Sequence, residues 1–478
     1  MINTTFGIGV RRFLCTTLSL IILPAACLKS RAQHKYLLTV EAFAQQVKQY
    51  HPVAKQADLL TEKAKADLLT ARGAFDPVID AASAAKTLDG TNYYRYTNPE
   101  IKLPTGIGVS IKGGYEKSSG QYISPERTRG VASYLGMEIP LLNGLLTDRK
   151  RTTLQQAKIY LRQSEQERLA TINDLLFNAY TAYWEWTGAW YTYQIYSGNV
   201  NVAAKRARLV NIAFMNGDRA MADTIEAWAQ LQNMRLLQNE AMLELTRKKL
   251  ELSAYLWTAG EEPYLLPDDY IPDTLRFTGP IMLPDTSALL AQTISAHPAL
   301  QITRYKVSAL ETERKLKLQN FLPAVTLQAN LLSKDYYQFK GMSSYYLENN
   351  YKLGVNVKVP LLWRQNRGEY RNVLLKIRDN NLELDNKLWD LQNKIRKYYN
   401  EAIQLQGQLQ AAREMNKAYD FLLRNEELKL QQGESSLFLI NARENKTLEM
   451  QQKVVELQVK YRKAAYGIQW SAGMMAAQ

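Results

Sequence analysis

The chain carries one stretch twice, and this duplication limits its possible folds more than any other feature. His51-Pro52 opens a run that reaches Phe75-Asp76-Pro77, and His297-Pro298 opens a run of the same length that reaches Phe321-Leu322-Pro323. Phe75 and Phe321 therefore hold equivalent places, as do Pro77 and Pro323. Proline opposes helix and pushes the preceding residue toward extended backbone. Each copy thus predicts a helix that stops at Phe-x-Pro and becomes something else. A tandem duplication has to be settled before any element is assigned.

The period changes after each junction. In the first copy Val53, Ala57, Leu60, Ala64, Leu68 and Ala71 fall on one helical face before Phe75. Beyond it, Val131, Ser133, Leu135, Met137 and Ile139 alternate with Ala132, Tyr134, Gly136 and Glu138, ending at Pro140. Ile107, Val109 and Ile111 alternate before them, Val78 to Leu88 is a weaker Ala-rich candidate, and Asp89–Pro99 and Ser118–Gly130 read as loops. In the second copy Val325, Leu327, Ala329 and Leu331, then Leu353, Val355, Val357 and Val359, alternate cleanly with polar residues. Each strand has about the length of one membrane crossing, roughly 9–11 residues. Half-buried strands of a soluble sheet would show the same alternation. The tyrosine-rich loop holding Tyr336, Tyr337, Phe339, Tyr345, Tyr346 and Tyr351 suits a membrane interface, where ring and hydroxyl each find their solvent.

Matching exits follow, Ile139-Pro140-Leu141-Leu142 and Val359-Pro360-Leu361-Leu362, and helical period returns. Leu384, Leu388, Leu391, Ile395, Tyr398, Ala402, Leu405 and Leu409 keep heptad spacing, as do Leu169, Ile172, Leu176, Ala179 and Tyr183 in the first copy. A helix running unbroken from Leu146 to Met215 would reach roughly 100 Å, far beyond a globular domain. The long helices are expected to stop at Gly217 and Gly433, with Asp218 or Ser435 capping the return helices. Pro263, Pro267, Pro272, Pro280 and Pro284 mark an irregular connector lying across the helices. The expected divisions are a signal peptide at 1–32, a first repeat at 33–259 with strands at about 77–140, a connector at 260–288, and a second repeat at 289–478 with strands at about 323–360. A further alternating segment near Leu103 to Tyr115 lengthens the loop region of the first repeat.

At the N-terminus, Arg11-Arg12 precede an apolar run from Phe13 to Cys27, with Ser30-Arg31-Ala32 as a cleavage site: a secretory signal. Lipidation of Cys27 is the alternative, opposed by Pro24 where a lipobox wants leucine. Cys15 and Cys27 both lie in this segment, so the exported chain has no thiol for disulfide or metal. The formal charge of +14 comes from Lys and Arg interleaved with Glu and Gln along helices, a solvated-face pattern that gives no nucleic-acid site. His51 and His297 stand at helix starts without a second ligand at metal spacing. Gly106-Ile107-Gly108 lacks the third glycine of a dinucleotide fingerprint, and no carboxylate pair or nucleophile elbow appears. Neither catalytic residues nor a cofactor are expected.

Four membrane-length strands cannot close a barrel, and an open sheet would leave unpaired edges in lipid. The chain must therefore assemble, and three copies would give twelve strands. The expected fold class is α+β: long antiparallel coiled-coil helices plus strand pairs joining a trimeric transmembrane β-barrel, built on an internal tandem repeat.

From about His51 to Trp470 the chain resembles the outer-membrane efflux protein family of TolC-like channels. The resemblance rests on the paired His-Pro and Phe-x-Pro starts, the Pro-Leu-Leu exits, the two glycine turns, and Asp223-Thr224-Ile225 with Ala227 after the first turn. It implies a homotrimer in the outer membrane that extends into the periplasm and exports passively. Its periplasmic tip, carrying Gly217, Asp218, Asp223, Thr224, Gly433, Glu434, Ser435 and Ser436, would dock the membrane-fusion adaptor of an inner-membrane pump. Phe75, Pro77, Pro140, Phe321, Pro323 and Pro360 would be the helix–strand junctions. The family often carries acidic gate residues after the second glycine turn; here Ser435 to Arg443 has no aspartate, which leaves Asp223 as the candidate. A soluble periplasmic coiled-coil scaffold is the competing reading.

Overall fold

The computed structural model describes residues 36–333 and 350–477. The expected signal segment with Cys15 and Cys27, and Tyr336, Tyr337, Phe339, Tyr345 and Tyr346, lie outside the described residues. In chain order come β1 (Tyr36–Leu38), α1 (Val40–Tyr50), α2 (Pro52–Gly73), β2 (Val78–Leu88), β3 (Thr91–Pro104), β4 (Ser110–Ser119) and β5 (Gly130–Pro140). The helical hairpin α3 (Arg149–Met215) and α4 (Met221–Ser253) follows, then β6 (Tyr270–Pro272), α5 (Thr274–Thr278) and α6 (Thr286–Ala296). The second copy supplies α7 (Pro298–Gln319), β7 (Ala324–Ser333), β8 (Tyr351–Lys358), α8 (Arg364–Gln431) and α9 (Leu437–Ser471).

The duplicated His-Pro stretches start α2 and α7 as expected. Proline occupies the first helical position, where its missing N–H costs nothing. Each preceding histidine accepts a backbone N–H through Nδ1: His51 from Val53 at 3.2 Å and His297 from Ala299 at 3.1 Å. At the far end the helices tighten into turns, with Phe75 N donating to Arg72 O and Phe321 N to Leu318 O, and strand begins after Pro77 and Pro323.

The long helices α3 and α8 span 67 and 68 residues, about 100 Å each. The α8 seam is buried at Leu391, Ile395, Ala402, Leu405 and Leu409, facing Leu457, Tyr461, Ala464 and Ile468 of α9. The centre of the molecule is an aromatic girdle on α3. Tyr183, Trp184 and Trp186 are buried against Phe43 of α1 and Phe277 of α5. Tyr183 Oη donates to Leu38 O at 2.7 Å and accepts from Asp273 N at 3.0 Å, which holds the parallel pair β1–β6 against the long helix. Arg462 of α9 donates to the carbonyls of Phe277 and Gly279 and lies over the Trp184 ring, pinning the segment between the repeats.

The sheet departs from expectation. Six strands pair in the order β2-β3-β4-β5-β7-β8, all antiparallel, where four strands per chain and twelve per trimer were expected. The stretch from Asp89 to Pro99, read as a loop, is a tight turn followed by β3. Asp89 and Gly90 take φ of 50° and 73°, the geometry of a two-residue hairpin turn. Ile107 and Val109, read as strand, lie in the turn between β3 and β4. There Gly108 takes φ of 89° and Thr105 N donates to Val109 O at 2.9 Å. The second copy contributes two strands, as expected.

Candidate functional site

Register assigns every strand residue to one of two faces. One row runs through all six strands: Ile79, Ile101, Gly113, Leu135, Leu331 and Tyr351 are successive cross-strand partners. The next same-face row on the helix side is Leu103, Ile111, Met137, Ala329 and Leu353. These large apolar side chains are exposed; Ile79 is 74% and Val355 64% accessible. A contiguous exposed apolar sheet face of this size marks contact with membrane or protein, since single-chain soluble surfaces keep such patches small.

The opposite face is polar. Rows such as Asp80, Glu100, Gly114 and Tyr134 lie on it, as do Lys102, Lys112, Asn330 and Lys352. Its groups pair across strands: Lys102 with Glu138 at 3.0 Å, and Tyr134 Oη with Glu100 at 2.7 Å. The loop from 120 to 129 turns onto this face. Arg127 stacks its guanidinium 3.4 Å over the Tyr96 ring on β3, while Glu126 O accepts from Lys352 Nζ on β8 at 3.2 Å. The loop therefore crosses the intervening strands β4, β5 and β7 on their polar side. Nothing in the composition of Ser118–Gly130 pointed to this fold onto the polar face.

The junction residues hold sheet to helices. Pro77 and Pro323 precede β2 and β7, Pro140 ends β5 and Pro360 follows β8. Leu141 N donates to Val325 O at 2.8 Å, so the exit of the first copy is tied to the entry of the second. Trp363 Nε1 donates to Phe321 O at 3.2 Å, and Phe321 meets Tyr370 edge to face. The α3 start is capped by Asp148, which also pairs with Arg151 at 2.8 Å.

At the other end, both long helices close with the same device. Gly217 and Gly433 take φ of 82° and 79°. Asp218 N reaches back to Ala213 O at 2.8 Å, and Glu434 N to Lys429 O at 2.9 Å, the double closure of a glycine-terminated helix. Capping of the return helices differs from expectation. Ala220 precedes α4 without a side-chain cap, so Asp218 does not cap it. Ser436, not Ser435, caps α9, and the Ser435 hydroxyl bonds Glu426 instead. One residue decides this: Ser436 is the position from which a hydroxyl can reach the third N–H of α9. Asp223 forms a 3.8 Å ion pair with Arg219, and Thr224 donates to Met221 O at 2.6 Å. The two turns are brought side by side, because Val210, Ala227 and Leu437 form one small core. Around it Met215, Met221, Ile225 and Phe438 stay exposed, Met215 at 78% and Phe438 at 70%.

Behind the tips lies a polar cluster that sequence reading missed. Glu444 on α9 is 1% exposed and takes both guanidinium nitrogens of Arg206 on α3, at 2.9 and 3.3 Å. Gln230 of α4 donates to the same carboxylate at 3.2 Å, and Glu427 of α8 stands 3.6 Å from Arg206. All four helices of the two hairpins meet there.

Among the described residues, no cluster of three or more His, Cys, Asp or Glu could hold a metal ion, and no helix is long and apolar enough to cross a membrane.

This chain, a sheet with one apolar and one polar face joined to helices of about 100 Å, has the fold of TolC-like outer-membrane channels. The solved structures it is similar to include the Campylobacter jejuni CmeC outer membrane channel, at 15% identity and a TM-score of 0.64, covering 91% of this chain and 85% of that one. The Vibrio cholerae outer membrane protein VceC is 14% identical with a TM-score of 0.62, covering 91% and 96%. The open state of the Neisseria gonorrhoeae MtrE outer membrane channel is 13% identical with a TM-score of 0.65, covering 91% and 88%. The sequence matches no family model and no curated protein.

Proposed function

We propose that this chain forms a homotrimeric channel in the outer membrane that extends into the periplasm and exports solutes passively, as one part of a tripartite efflux or type I secretion system. The observation that carries the reading is the two-faced sheet. Its exposed apolar face suits lipid, its paired polar face suits a water-filled lumen, and its helix end continues directly into a periplasmic tube. The test is membrane partition followed by conductance in planar bilayers. The protein is expected in the outer-membrane fraction and to open ion-conducting pores. Recovery in the soluble periplasmic fraction would sink the reading.

The paired tips are assigned to docking of a periplasmic adaptor of an inner-membrane pump, with Gly217, Asp218, Asp223, Thr224, Gly433, Glu434, Ser435 and Ser436 at the contact. The exposed apolar side chains of Met215, Met221, Ile225 and Phe438 support this. A Cβ added at either turn glycine meets nothing within 4 Å, so a large side chain there projects outward. The αL backbone costs it only about 1–2 kcal/mol. Gly217→Trp with Gly433→Trp is expected to abolish most export while trimers still assemble. Unchanged export would remove the docking assignment.

The loop from 120 to 129 narrows the lumen at its outer end on this reading. Arg127→Ala removes the guanidinium that holds it against Tyr96, and single-channel conductance is expected to rise. An unaltered conductance would place the loop outside the ion path.

A further inference from the structure

The six-stranded sheet has two free edges, β2 and β8, and resting on the channel reading above we infer that β2 of one copy pairs with β8 of the next. Three copies then close a barrel of eighteen strands, not twelve. Direction permits this: β2 runs away from the helices and β8 runs back toward them, so the two edges meet antiparallel, as all neighbouring strands of the sheet do.

The faces also match. By the register that aligns the whole sheet, Ile79, Ala81, Ser83 and Ala85 of β2 share the apolar face with Leu353, Val355 and Val357 of β8. Free sheet edges in soluble proteins are normally guarded by charge or proline. On this face neither edge strand carries any. On the polar face Asp80 lies at the helix end of β2 and Lys358 at the helix end of β8, opposite charges at one level.

The hairpin β2–β3 belongs to the wall and is no appendage. Its residues enter the same cross-strand row as the other four strands. That row meets β2 beside its helix end and β8 at its outer end, the stagger that tilted barrel strands require. One chain is too small to close alone, since the smallest such barrels have eight strands. Strands about 4.8 Å apart and tilted about 40° give a backbone diameter of about 36 Å for eighteen strands, against about 24 Å for twelve. The outer portal is thus about twice as large in cross-section, wide enough for an open aqueous lumen even with the inward loop.

Cysteine cross-linking in intact outer membranes tests the seam, because the native cysteines, Cys15 and Cys27, lie in the signal segment. Ala81→Cys is combined in turn with Leu353→Cys, Val355→Cys and Val357→Cys. One combination is expected to give covalent dimers and trimers on a reducing-agent-sensitive gel ladder. Ile111→Cys on β4, combined with the same β8 positions, is expected to give none between copies. Cross-links from Ile111 would mean that the barrel closes at β4 with twelve strands, which overturns the inference and leaves the channel reading standing. Trimers without cross-links in any combination overturn it equally. A soluble monomer overturns both.

Discussion

Arg206→Met is expected to destabilise the paired helical hairpins near their tips by about 3–5 kcal/mol, because it strands a carboxylate that water cannot reach. Glu444 is 1% exposed and its charge is met by Arg206 in a two-pronged contact, with Gln230 completing the shell. Methionine keeps the apolar stem of the arginine and removes only the charge and its donors. The cluster ties α3 and α4 of the first copy to α8 and α9 of the second, roughly 15 Å behind the turn glycines. The loss should therefore appear first as proteolytic nicking at the tips, ahead of global unfolding. Arg206→Met with Glu444→Leu removes both charges and should recover most of the loss, since a buried pair replaced by apolar groups is often neutral. Denaturant unfolding of the detergent-solubilised protein measures both variants. A change below about 1 kcal/mol in the single variant would mean that water reaches Glu444.

That cluster was illegible in the sequence for a physical reason. Glu444 sits in Asn441-Ala442-Arg443-Glu444-Asn445, which reads as a solvated helix face. Its partners come from three other helices, and only tertiary packing brings them together. The long helices were legible because their seams repeat over many turns, and local period survives any tertiary arrangement. The glycine turns were legible because only glycine takes the αL conformation without strain.

Strand β3 was missed although its signal was present. Leu88-Asp89-Gly90-Thr91 holds the Asp-Gly pair of a two-residue hairpin, but Asn98 and Pro99 argued for a loop. The sheet accommodates Pro99 by interrupting the β3–β4 ladder at Asn98 and Pro99. Partners Thr97–Lys117 and Glu100–Gly114 bracket a gap in the ladder to β4, while Ala81 still pairs with Pro99 on the other side. Gly114 belongs to the same adjustment, since a Cβ there would come within 2.4 Å of Pro99 O. The alternation at Ile107, Val109 and Ile111 misled in the opposite sense. Gly106 and Gly108 allow a turn, and only Ile111 is in strand.

Acid should loosen the second repeat through His297, at the start of the duplicated stretch. The imidazole is buried, 7% exposed, and its Nδ1 must be unprotonated to accept the Ala299 N–H that starts α7. Burial, reinforced by the nearby Lys394 charge, pushes its pKa down to about 4. Gly473, at φ of 72°, packs the end of α9 against the ring, so the ring has no room to swing out toward water. The unfolded chain binds the proton near pH 6.5, and the folded chain binds it only near 4. The folded-state pKa is the lower one, so the stabilisation is complete above pH 6.5 and is lost as pH falls from 6.5 to 4. The loss approaches about 3 kcal/mol at the acid end. His51 is shifted downward by burial as well, against an opposing backbone hydrogen bond at Ala254, so the first repeat loosens in the same direction. His297→Asn keeps a side-chain acceptor at the helix start but cannot titrate. Thermal unfolding of the two proteins between pH 7 and 4 is expected to show a steeper fall for the native chain. Parallel pH profiles would mean that His297 is protonated in the folded chain, and that helix α7 starts without its cap.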